Sequence, residues 1–132
     1  MHKPGRLVAK AVLLNGERGF VLAVLPSTHR IDLDRLRGCL SDPFVRLATE
    51  KEIDAVFQDC EPGALPPFGR LYGLRTLVDS SLVGIGEIIL EGNLRHEELM
   101  MNYPDYEEVE SPDHARFATK ITEPPADSLR AG

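Results

Sequence analysis

The chain has 132 residues, 42% hydrophobic and 27% charged, with no tryptophan; that is an ordinary globular composition, long enough for one real core and too short for two. Nothing in it approaches the roughly 18 consecutive apolar residues of a membrane span, and Met1-His2-Lys3-Pro4-Gly5-Arg6 leads into no signal-peptide apolar run, so a cytoplasmic address without a membrane partner is expected. The net charge of −6 argues at first against nucleic acid, but it is unevenly spread.

Residues 1–46 carry eight Lys/Arg against four acids, whereas residues 87–113 carry nine acids against Arg95 alone. Such a chain either offers a basic face to a few phosphates or simply solvates both runs. Cys39 and Cys60 form no Cys-x-x-Cys pair, and His2, His29, His96 and His114 lack ligand spacing, so no metal or other cofactor is expected.

Residues 6–14 are apolar and β-branched enough for a strand, Asn15-Gly16-Glu17-Arg18-Gly19 supplies the turn, and residues 20–25 return. Both runs are nearly continuous apolar, which predicts a hairpin covered on both faces. Lys10 is the one charge in the middle of the first strand. It either snorkels from a sheet edge or points its ammonium into a cleft.

Pro26-Ser27-Thr28-His29-Arg30 reads as a polar connection. Asp32 then caps a short amphipathic helix that Asp42-Pro43 ends, and residues 44–48 form a short strand. Thr49-Glu50-Lys51-Glu52 is a capping box opening a helix to about Phe57.

The next stretch, Cys60-Glu61-Pro62-Gly63-Ala64-Leu65-Pro66-Pro67-Phe68-Gly69, brackets a double proline with two glycines and reads as a rigid loop. It is either a tight connection or a preorganised set of backbone N–H groups for a carbonyl or phosphate. Strands follow at residues 74–79, 87–91 and 98–101, and Tyr103-Pro104-Asp105 suits a helix start. From Ser111 the chain has little apolar content. The expected division is a domain over 1–110 and a mobile polar tail over 111–132.

Val8-Ala9-Lys10, the run from Leu25-Pro26-Ser27 to Asp32-Leu33, the run from Leu47-Ala48 to Glu52, Gly63-Ala64-Leu65-Pro66-Pro67-Phe68-Gly69, Val78-Asp79-Ser80-Ser81-Leu82 and the Gly92 turn stand in one order. In that order and spacing the chain resembles the YbaK/prolyl-tRNA synthetase-associated editing domain family over about residues 7–110. The resemblance implies a mixed α/β domain with a curved, largely antiparallel sheet. It also implies a trans-editing hydrolase that removes a small amino acid such as alanine or cysteine from tRNA-Pro. The implied partners are the acceptor end of aminoacyl-tRNA, prolyl-tRNA synthetase and, in a homodimer, a second copy of the chain.

By the same resemblance Lys10 anchors the terminal phosphate or the carbonyl rather than acting as a nucleophile. Gly63 and Pro67 fit the family's Gly-x-x-x-Pro loop, whose N–H groups would meet the developing oxyanion. Ala64, Leu65, Phe68, Gly69, Gly92, His96, His29 and Arg30 complete the substrate-binding set, and the terminal ribose hydroxyl would help activate water. Only nine residues precede Lys10 where the family has about one more helix and strand, so the domain is expected to be N-terminally short. Leu90-Glu91 also stands before Gly92 in place of a small hydroxyl residue found in some members.

Two other arrangements stay open. Ser80 or Ser81 with His29 or His96 and Asp79 would make a triad on paper, although no Gly-x-Ser-x-Gly elbow supports it and the same residues suit a strand-end turn. A non-catalytic tRNA-docking or regulatory module of the same fold is the alternative to a hydrolase.

Overall fold

A computed structural model describes residues 6–59, 65–91 and 98–121 of the chain. In order these are β1 (Arg6–Gly16), β2 (Gly19–Pro26), β3 (His29–Ile31), α1 (Leu33–Leu40), β4 (Arg46–Leu47), α2 (Glu50–Val56), β5 (Arg75–Asp79), β6 (Glu87–Glu91), β7 (Glu98–Asn102), α3 (Tyr103–Glu110), β8 (Asp113–Ala115) and β9 (Ala118–Lys120), with 3-10 turns at Gly69–Tyr72 and Ser80–Leu82. The main sheet runs β7-β6-β1-β2-β5-β8, β4 pairs with β1, and β3 pairs with β9. Its longest ladder is the antiparallel β1–β2 hairpin, from Ala9↔Pro26 to Gly16↔Gly19. Parallel β6 and β5 flank that hairpin, one on each side.

The hairpin is central because its residues are apolar on both faces. Successive side chains of a strand point to opposite faces, and Leu22, Ala23, Val24 and Leu25 are all fully buried. Leu14, Ala23, Leu25 and Leu77 pack with Leu36, Leu40 and Phe117 beneath α1, whereas Ala9, Val24 and Val78 pack with Ile88, Leu90, Tyr103 and Tyr106 beneath α3. Leu13 and Leu22 meet Phe57, just past α2, in a third cluster.

Side-chain caps place the short helices. Asp32 accepts a hydrogen bond from Arg35 N at 3.2 Å, and Ser41 ends α1 in the left-handed region at φ 52°. At α2 the capping box closes in both directions, with Glu52 N donating to Thr49 Oγ1 at 3.2 Å and Thr49 N donating to Glu52 Oε1 at 2.8 Å. Glu52 also accepts from Arg46 Nη1 at 2.9 Å and from Asn15 Nδ2 at 2.8 Å, so one carboxylate ties β1, β4 and α2 together.

The Arg46 hydrogen bonds, then the Thr49 N–H, hold Glu52 near a pKa of about 2 against an ordinary 4.5. A depressed carboxylate stabilises the fold above its unfolded pKa, and that stabilisation is lost as pH falls through the folded value. Wild type is therefore expected to melt above Glu52→Gln at neutral pH, with the gap closing between pH 4.5 and about 2. A thermal-melt series over that range checks it, and a gap constant with pH would refute the assignment.

Two expectations need correction. The connection at residues 26–30 contains the start of β3, and the chain after Ser111 is part of the domain through residue 121: β8 extends the main sheet and β9 pairs with β3. Phe117 is fully buried, Asp32 N donates to Phe117 O at 2.8 Å, and Ile121 N donates to Thr28 O at 2.8 Å. Three-residue strands are too short to show a period of two, so backbone pairing and one phenylalanine hold a segment that reads as polar. Residues 122–132 lie outside the described residues.

Candidate functional site

β1 has β2 on one side and two successive partners on the other. Its pairing with β6 runs from Arg6 to Ala9, and its pairing with β4 takes in Leu14 and Asn15. Among the described residues, Lys10, Ala11 and Val12 therefore have a ladder partner only on the β2 side, and the gap opens into a cleft. A cavity of about 300 Å³ there is lined by Ala11, Val12, Leu13, Leu47, Ala48, Ile53 and Leu65. A second, of about 280 Å³, is lined by Lys10, Val12, Leu25, Arg30, Ile31, Leu33 and Leu47. The two adjoin through Val12 and Leu47.

Lys10 is half-buried on an interior strand and lines the second cavity. Leu65 brings the proline-rich loop to the first. Phe68 and Gly69 turn away from both. Phe68 packs on Tyr106 with ring centroids 5.5 Å apart, and a Cβ on buried Gly69 would collide with Thr76 Oγ1. Gly69→Ala is accordingly expected to cost about 1–3 kcal/mol through overpacking, measured by urea unfolding; a stability equal to wild type would show that Thr76 can move aside. Gly63, Ala64, Gly92 and His96 lie outside the described residues.

The loop is tied down from α3, which sequence reading did not single out. Pro67 is buried, and its carbonyl accepts the Tyr106 hydroxyl at 2.6 Å. Burial first, and then the nearby Glu110 carboxylate, push the Tyr106 phenol well above its ordinary value, which keeps it a neutral donor. Glu110, itself 2% exposed, accepts from Arg70 N at 3.1 Å and from Thr76 Oγ1. These bonds fix the chain on the C-terminal side of the prolines, and a fixed loop is what preorganised catalysis requires.

His29 and Arg30 are neighbours on β3 and face different cavities. Arg30 joins Lys10, whereas His29 lines a polar cavity of about 260 Å³ with Asp79, Ser80, Ser81 and Arg116. In a Ser-His-Asp triad the serine donates its proton to the imidazole. Here Ser81 Oγ donates to Asp79 Oδ2 at 2.5 Å, and His29 Nδ1 meets Thr28 Oγ1 at 3.0 Å.

Burial opposes ionisation of Asp79, but hydrogen bonds from Ser81 Oγ and from the Phe117, Ser81 and Ala118 amides outweigh it and hold the carboxyl below its ordinary value. Asp79 caps the turn at Ser80–Leu82 and clamps the entry to β9. The strand-end turn is the arrangement found.

Residues 1–109 match the family described as the aminoacyl-tRNA editing domain. A proline–tRNA ligase of Xanthomonas oryzae pv. oryzae is 31% identical over 85 residues, which is 64% of this chain and 15% of the ligase. Among solved structures, one described as a candidate signal transduction protein from Marinobacter aquaeolei VT8 is similar with a TM-score of 0.75 and 25% identity, over 86% of this chain and 25% of that one. Another, described as a candidate trans-editing enzyme for prolyl-tRNA synthetase, has a TM-score of 0.75 at 22% identity, over 87% of this chain and 71% of its own, and shows the same fold.

Proposed function

The chain belongs to the aminoacyl-tRNA editing domain family, and from that premise we propose that it hydrolyses the ester joining a mischarged amino acid to tRNA. The observation that carries this reading is the cleft at the β1 gap, with Lys10 on one side and Leu65 of the proline-rich loop on the other. Water attacks the ester carbonyl, the ribose oxygen leaves, and the products are free amino acid and tRNA.

Lys10 orients the substrate through its terminal phosphate or carbonyl. Pro66 and Pro67 have no N–H, so the loop's donors to the oxyanion come from residues flanking the two prolines. The ribose hydroxyl at the tRNA end helps activate water.

We assign the substrate as a small amino acid, alanine or cysteine, on tRNA-Pro, with prolyl-tRNA synthetase as a cytoplasmic partner. A hydrophobic pocket separates side chains differing by one methylene by only about 1–3 kcal/mol, so synthetases of small amino acids need a second sieve. The test is amino-acid release from tRNA-Pro charged with alanine, cysteine, serine or proline. Release of one small amino acid with prolyl-tRNA spared is the expected result. No release from any charged tRNA, with tRNA still bound, would favour the docking or regulatory module, a reading to which the signal transduction neighbour lends support.

A further inference from the structure

Arg30 and Lys10 reach one cavity from separate elements. β3 presents Arg30 because its register with β9 is fixed at Arg30↔Thr119, and the remaining lining, Val12, Leu25, Ile31, Leu33 and Leu47, is apolar. No carboxylate is in that lining, and among the described residues neither cation has an acid within ion-pair distance; the nearby Asp32 is engaged by Arg35 at 3.7 Å. Arg30 is exposed and Lys10 half-buried, so the cavity is open to an anion from solvent, and an anion seated there meets both cations. A guanidinium and an ammonium suit a phosphate, the first as a fork and the second as a point charge.

We propose that Arg30 is a substrate-positioning residue: with Lys10 it holds the phosphate of the terminal nucleotide of the acceptor end. The two adjoining cavities then divide the substrate, the nucleotide lying on the Lys10–Arg30 side and the aminoacyl group beneath Leu65. This rests on the editing reading above. It also explains why β9 matters to the site, since β9 sets the position of β3.

The test compares wild type, Arg30→Gln and Arg30→Lys, with Arg18→Gln at the exposed hairpin turn as a charge-matched control. Multiple-turnover release is measured on the charged tRNA, together with NMR titrations of 5′-AMP and adenosine. Arg30→Gln is expected to raise KM about tenfold with kcat within about twofold, the size of one charged hydrogen bond. Arg30→Lys should recover most of that loss, and the slope of log affinity against log salt should fall by about 0.7 in Arg30→Gln.

Wild type should bind 5′-AMP about tenfold more tightly than adenosine, a preference that Arg30→Gln abolishes and Arg18→Gln retains. An unchanged KM together with an unchanged preference for 5′-AMP in Arg30→Gln would overturn the proposal. Wild type inactive on every charged tRNA would overturn the editing reading alone, because the 5′-AMP titrations still decide whether Arg30 holds a phosphate.

Discussion

Lys10→Ala should lower kcat/KM for amino-acid release by about two orders of magnitude, the size of effect expected when the cation that positions the substrate is lost and the ester is misplaced. The substrate places an ester carbonyl and a phosphate close together, and both gain from a cation at a cleft with apolar walls, where charge is poorly screened. The stability change should be small. Lys10 is only half-buried, so its truncation uncovers little of the core. Single-turnover deacylation with a parallel thermal melt separates the two effects. A variant that retains activity within threefold of wild type, with an unchanged melt, would remove Lys10 from the site.

How the cleft arises explains what was legible beforehand. Lys10 stands out in the sequence as a lone charge in an apolar strand, and the capping box at Thr49 and the cap at Asp32 are local patterns that local structure obeys. Among the described residues the opening itself depends on β6 pairing with β1 as far as Ala9 while β4 joins at Leu14, a property of two pairings from distant segments. No periodicity within β1 reports it. Glu110 shows the same limit from another direction: it sits in an acidic run that reads as solvated surface, yet its carboxylate is buried on Arg70 N and Thr76. The sequence likewise places Asp79 at a strand-end turn, which it caps, but not the Phe117 and Ala118 amides that its second oxygen holds.

The proline-rich loop offers the second large effect, because it combines loop rigidity with core packing. Tyr106 is fully buried among Ala9, Val24, Ile88 and Leu90, stacks obliquely on Phe68, and donates to Pro67 O. Tyr106→Ala should therefore cost about 3–5 kcal/mol, as large aromatic truncations in cores do. That is a large part of the roughly 5–15 kcal/mol that holds a domain folded.

Tyr106→Phe isolates the hydrogen bond. It keeps the ring and strands a buried carbonyl, for about 1–3 kcal/mol. Both are read by urea unfolding. If the bond also holds the loop in its working shape, Tyr106→Phe should lower kcat about tenfold at a temperature where it is fully folded, since small misplacements of a reacting group carry costs of that order and above. A Tyr106→Phe protein as stable as wild type would show that another donor reaches Pro67. One that is destabilised yet fully active would confine the Tyr106 bond to folding.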